Sequence, residues 1–309
     1  MRRSLYLLFA LFICLAPASA SIQGTLILAP ASYRVAVVDR FYPPEGGFQS
    51  DSDRSLHRTL YGMFDIDDDQ VKEPYYHGDL VSMIASDPRF SLIHYPIRDG
   101  VPPIDEIQRN LKKLLVRQAS QPVTALVLSW ESSTLISAFE KPLRREHASR
   151  YKAELARWGE TSPVWQSTRE IIDTLEALVA SGVAVYTIAG NGGRGMVNTF
   201  SFAEGVITVG AAERELSHFV SDNAFVDTYA PAAYKIRRVD DAAGKPVGYD
   251  VDGDRCPDIP LNRLTAATAS DEYPGSYWKL IKGSSFAAPA AMKTALLAGL
   301  APGCAIKVM

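Results

Sequence analysis

Gly283-Ser284-Ser285-Phe286-Ala287-Ala288-Pro289 opens a run of small and apolar residues that continues to Leu300. A serine at the mouth of such a run is placed at a helix N-terminus. There the first backbone N–H groups lack intrahelical partners and the helix dipole is positive, so negative charge forming beside Ser285 would be stabilised. Pro289 suits this end of a helix, where its missing N–H is not needed. A serine that only caps a core helix fits the same residues. The choice between the two turns on whether a base and an orienting acid lie elsewhere in the chain.

Both are present upstream. Asp39 ends the apolar run Tyr33-Arg34-Val35-Ala36-Val37-Val38, which reads as a buried strand and is followed by the turn-rich Tyr42-Pro43-Pro44-Glu45-Gly46-Gly47. A carboxylate at the C-terminal end of such a strand sits over the sheet edge, where open α/β proteins place their sites. His77-Gly78 leads directly into the apolar helix signal Leu80-Val81-Ser82-Met83-Ile84-Ala85. Asp, His, Ser is one of the chain orders in which a serine triad occurs.

With these residues in view the chain resembles the subtilases, the subtilisin-like serine peptidases. Val35 to Asp39 resembles the family's aspartate strand and His77-Gly78 its histidine motif. Ala189-Gly190-Asn191, after the strand Val183 to Ile188, resembles its oxyanion asparagine motif, and Gly283 to Pro289 its serine motif. Weaker echoes are Gly205 to Ala211 and Val226 to Pro231. The resemblance runs from Tyr33 to about Leu300. It implies an α/β fold in three layers, a mostly parallel central sheet with helices on both faces. It also implies acyl transfer on protein or peptide substrates with no cofactor required. Ser285 would be the nucleophile, His77 the base and Asp39 its orienting partner, and the Asn191 amide would donate to the oxyanion.

The chain departs from the family at several positions. Arg40 and Phe41 follow the aspartate where a small residue and glycine are usual, and Asp79 and Leu80 replace threonine and a second histidine after His77-Gly78. In Leu128-Ser129-Trp130-Glu131 a glutamate stands where the substrate-binding strand usually has glycine, a carboxylate able to pair with a substrate cation. Arg40 and Asp79 would pull the His77 pKa in opposite directions. The alternative to a working endopeptidase is a weakly active or inactive chain that keeps the fold as a binding module.

Composition is consistent with one α/β domain: 309 residues, 47% hydrophobic, formal charge −3, with strand and helix signals alternating. Without a basic stripe, nucleic acid is not an expected partner. Met1-Arg2-Arg3, the apolar run Leu5 to Leu15 and Ala18-Ser19-Ala20 read as a signal peptide over residues 1–20. The apolar run is shorter than the ~20 residues a membrane-spanning helix needs. The expectation is therefore an exported protein, periplasmic or extracellular, with no membrane anchor after cleavage. Residues 21–309 would form the peptidase domain, with insertions near 132–165 and 236–282. Only Ser21 to Ser32 precede the first strand, so a pro-segment is not expected and a separate inhibitor or folding partner becomes a candidate. Cys256 and Cys304 would remain as a possible disulfide pair.

Two further motifs compete for function. Asp250, Asp252, Asp254 and Asp258 surround Gly253 at a spacing that suits Ca²⁺, and the loop resembles the calcium loops of thrombospondin type 3 repeats. Leu261 stands where a bidentate glutamate would be needed, a solvated acidic turn fits the same residues, and Asp67-Asp68-Asp69 is a weaker acidic turn of the same kind. Gly190-Asn191-Gly192-Gly193-Arg194-Gly195 satisfies a dinucleotide fingerprint, but no helix signal follows its third glycine.

Overall fold

The computed structural model describes residues 33–63, 65–66, 70–260 and 278–298. The segment 1–20, Asp67 to Asp69, Leu261 and Cys304 lie outside the described residues. The central sheet is built from β1 (Tyr33–Asp39), β2 (Phe90–Pro96), β3 (Ala125–Leu128), β5 (Ala184–Ile188), β7 (Ile207–Ala211) and β8 (Thr228–Ala230), in the order β2-β1-β3-β5-β7-β8. Every pairing in it is parallel.

Alternation along β1 shows why the sheet has two covered faces. Val35 and Val37 enter one apolar cluster, Ala36 and Val38 the other, and all four are fully buried. The first cluster includes Leu80, Met83 and Ile84 of α2 (His77–Ala85) and Phe286, Ala287 and Met292 of α6 (Ser284–Leu296). The second takes in α3 (Pro103–Arg117), α4 (Ala148–Gly159) and α5 (Pro163–Ala180), through Leu111, Leu155 and Leu175 among others. Continuous apolar strands buried on both faces are what a parallel sheet requires. The fold is a three-layer α/β arrangement.

The chain leaves β1 toward β2 on one side and later reaches β3 on the other. The sheet therefore switches direction between β1 and β3, and open α/β sheets hold ligands at the carboxyl ends of strands beside such a switch. Asp39 ends β1 and Ser129 follows β3 at that point.

Several elements differ from the sequence reading. The charge-dense stretch Lys141 to Trp158 reads in sequence as a solvated helix, whereas the structure has a 3₁₀ turn at Arg145–His147 and helix only from Ala148. The stretch Phe225 to Tyr229 reads in sequence as a strand, but β8 starts at Thr228, since Asn223 turns the chain by accepting from Phe225 N through its side chain and from Val226 N through its carbonyl. Helix α1 (Asp51–Tyr61) has no buried residue and therefore no long apolar signal to announce it. A short antiparallel pair, β4 (Ser133–Leu135) with β6 (Met196–Asn198), follows the loops after β3 and β5. The region expected as an insertion near 236–282 holds β9 (Ala233–Asp240), β10 (Pro246–Asp250), β11 (Ile259–Pro260) and β12 (Trp278–Lys282), an antiparallel sheet in the order β11-β10-β9-β12. No described helix is long and apolar enough to cross a membrane.

Candidate active site

Asp39 is fully buried, and both of its oxygens lie within hydrogen-bond distance of His77 Nδ1, at 3.0 and 2.8 Å. Arg40 N at 2.7 Å and Trp130 Nε1 at 3.2 Å also donate to its Oδ1. With Nδ1 spent on Asp39, the imidazole keeps Nε2 as the nitrogen available to the cleft, the tautomer a general base needs.

Gly78 sets the approach of the two elements. Its N–H donates to Arg40 O at 2.8 Å, and a Cβ at this position would lie 2.5 Å from that oxygen and 2.7 Å from Asp39 Cβ. Any side chain here would push α2 off the end of β1.

The serine segment is tied down from two other strands. Gly283 has φ 153°, a conformation that suits glycine, and precedes the first turn of α6. Asn191, beyond the end of β5, accepts at Oδ1 from Ser284 N and Ser284 Oγ, both at 2.9 Å. A backbone N–H can only donate, so this contact fixes which end of the amide is oxygen and leaves Nδ2 as a donor. Ser285 N is the next helix-terminal donor and has no hydrogen-bond partner among the described residues.

Pro289 is not where the sequence reading put it. It is the sixth residue of α6, inside the helix, and removes the bond that Ser285 O would otherwise accept. Ser129 Oγ donates to that carbonyl instead, at 2.8 Å. The serine after β3 thus repairs the gap the proline leaves and ties the nucleophile's turn to the sheet. Sequence reasoning missed this role, although a proline four residues after a helical serine was the available signal.

His77, Asn191 and Ser285 line one cavity of about 400 Å³ together with Arg40, Tyr61, Tyr76, Ser129, Trp130 and Glu131. Ser285 Oγ and His77 are not hydrogen-bonded to each other, and the His77 ring lies 5.8 Å from that of Phe286. Such contacts are often long in unliganded sites and tighten around substrate. Leu60 and Met63, near the end of α1, form an apolar part of the wall.

The His77 and Asp79 titrations are both displaced. Burial pulls the His77 pKa down, but the charge of Asp39 and its hydrogen bond outweigh this and leave it raised, against a smaller lowering from Arg40. Arg40 itself pairs with Asp99 at 3.1 Å and lies over the rings of Tyr61 and Trp130. Asp79 is pushed up to about 7, chiefly by burial and further by Asp39, against hydrogen bonds from Tyr76 N and Tyr42 N. Those bonds, 2.7 and 3.0 Å, join the start of α2 to the loop after β1.

The Asp250 loop brings carboxylate oxygens of Asp250, Asp252 and Asp254 within 4.8 Å of one another. Asp250 accepts from Gly253 N and Arg255 N, Asp254 from Cys256 N, and Asp258 from Val251 N and Asp252 N. Lys293 Nζ lies 2.8 Å from Asp252. Cys256 is disulfide-bonded. The Gly190 to Gly195 stretch runs into β6 rather than a helix, so the dinucleotide fingerprint lacks its helix terminus.

No family model matches the chain, and no curated protein does. Among solved structures it is similar to the prenylagaramide maturation protease PagA, at 14% identity over 89% of this chain and 80% of that one, TM-score 0.44. It is also similar to the nisin leader peptidase NisP from Lactococcus lactis, at 13% identity over 85% and 76%, TM-score 0.43. A cold adapted subtilisin-like serine proteinase matches at 12% identity over 87% and 76%, TM-score 0.40. All three similarities have TM-scores below 0.5 and identities below 15%.

Proposed function

We propose that this chain is an exported serine endopeptidase that cleaves peptide bonds through Asp39, His77 and Ser285. The observation that carries the reading is the buried Asp39 bound to Nδ1 of His77, which lines one cavity with Ser285 and Asn191. A substrate carbonyl between Ser285 and Asn191 would meet the Ser285 hydroxyl on one side. On the other it would meet two donors, Asn191 Nδ2 and Ser285 N. His77 Nε2 takes the hydroxyl proton as Oγ bonds to the carbonyl carbon, and the resulting oxyanion is held by those donors. The imidazolium, stabilised by Asp39, then protonates the departing amine, and water repeats the sequence to release the acid.

The pH dependence follows from the raised His77 pKa. Only the neutral ring accepts the proton, so turnover falls as pH drops through a value above the ordinary ~6.5 for histidine. Hydrolysis of denatured casein by the purified mature chain is the test. Activity is expected at alkaline pH and is expected to drop by about 10⁶ in Ser285→Ala, the scale on which triad members fail. A folded protein that hydrolyses nothing at any pH supports the binding-module alternative instead.

A further inference from the structure

Glu131 follows Trp130 on the loop after β3, and its carboxylate reaches across to the loop after β5. It accepts from Asn191 N, at 3.1 Å to Oε2 and 3.3 Å to Oε1. Ser133 Oγ donates to Oε2 from the same side. Gly190 makes the approach possible: its φ is +102°, and a Cβ there would fall on the Glu131 carboxylate. The partners of Glu131 are thus neutral donors, and none of the ion pairs of the described residues includes it.

Asn191 is consequently held at both ends. Its backbone N–H is bound by Glu131, and its side-chain oxygen is bound by Ser284 N and Oγ at the start of α6. With those groups committed, rotation of the side chain would break two bonds and displacement of the backbone would break the bond to Glu131. Nδ2 remains the one donor of the residue directed to other work. An oxyanion donor contributes in proportion to how well it is fixed before the charge forms, since no reorganisation is then needed during the reaction.

We infer that Glu131 is a positioning residue for the oxyanion donor, acting through Asn191 rather than on the substrate. The inference rests on the peptidase reading above and adds a residue to it. The role belongs to hydrogen-bond acceptance rather than to charge: a full negative charge near a forming oxyanion opposes it, so the useful property is the lone pair aimed at Asn191 N. Glutamine keeps a carbonyl oxygen at the same reach and removes the charge, whereas alanine removes both.

Steady-state kinetics on one peptide amide separates these cases. Glu131→Ala is expected to lower kcat by about 10- to 100-fold with KM nearly unchanged, the scale of a misplaced catalytic donor. Glu131→Gln is expected to restore most of that loss. Three kinetic results would overturn the inference: an unaffected alanine variant, equal losses in alanine and glutamine, or a change confined to KM on peptides with Lys or Arg before the scissile bond, which would make Glu131 a substrate contact. Amide hydrogen exchange at Asn191 gives a readout independent of turnover. Its N–H should be protected in the parent and in Glu131→Gln, and exchange faster in Glu131→Ala while the sheet amides stay protected. Equal protection in all three contradicts the inference even in a chain that hydrolyses nothing, and absence of turnover with the expected exchange pattern counts against the peptidase reading alone.

Discussion

The Asp39 end of the cleft and the Asp250 to Asp258 loop both gather carboxylates against close partners, yet they leave different capacity unspent. Asp39 receives three donors, and one of them is an imidazole whose second nitrogen still faces a cavity. In the loop, Asp250, Asp254 and Asp258 accept from the chain's own amides and Asp252 faces the Lys293 ammonium. An arrangement of charges becomes chemically useful when some group in it has a lone pair or a proton left to exchange. A spacing pattern in the sequence reports which residues come together, but not what they have left.

Within the cleft, the largest effect short of removing a triad member is expected at the oxyanion side. Asn191→Leu should lower kcat by about 10²–10³ with little change in KM, because the Nδ2 donor is lost together with the bonds that Ser284 N and Oγ give to Oδ1, while the nucleophile and base persist. An unchanged kcat would show that Nδ2 does not face the developing charge, and the contrast between the two regions would lose its chemical meaning.

Asp79 tests how burial taxes a carboxylate that does no chemistry. Its pKa is raised in the fold from an ordinary 3.8 to about 7, so the folded state favours its protonated form. Stability that is fully present below the unfolded value is lost as pH climbs through that window. Asp79→Asn should therefore raise the melting temperature near pH ~8, by several degrees, and change it little near pH ~3.5. Destabilisation of the same size at both pH values would mean that the bonds from Tyr76 N and Tyr42 N outweigh the cost of burying the charge.

The smallest effect is expected in the loop. If Ca²⁺ binds among Asp250, Asp252, Asp254 and Asp258, the Lys293 ammonium must give way at Asp252. Millimolar calcium should then shift the melting temperature by about a degree at most in the parent, and by more in Lys293→Ala, where the carboxylates lack their cation. A large shift in the parent would make the loop a resident calcium site, and identical null results in both would leave it an acidic turn.

Legibility followed the strength of local signals. β1 was readable to the residue because Val35 to Val38 are buried on both faces and Asp39 ends the run, and His77-Gly78 announced α2 because a glycine must follow where the helix meets Arg40 O. α1 was not readable: a helix with no buried residue carries no apolar period that sets it apart from a polar loop. The antiparallel sheet of β9 to β12 was seen only as an insertion, since β9 buries only Ile236 and its pairing with β12 spans a long stretch of chain. In the site, residue identities were legible but their ties were not. That Ser129 replaces the bond removed by Pro289, or that Glu131 and Ser284 hold Asn191 from opposite sides, depends on loops from three strands converging.

The central claim is that Ser285 is a nucleophile activated by His77. Intact-mass measurement after exposure to a fluorophosphonate probe tests it most directly, with peptide mapping to locate the adduct. One adduct per chain, located on Ser285, absent from Ser285→Ala and formed far more slowly in His77→Ala, is the predicted result. A folded chain that stays unmodified, or one that labels at the same rate without His77, would contradict it.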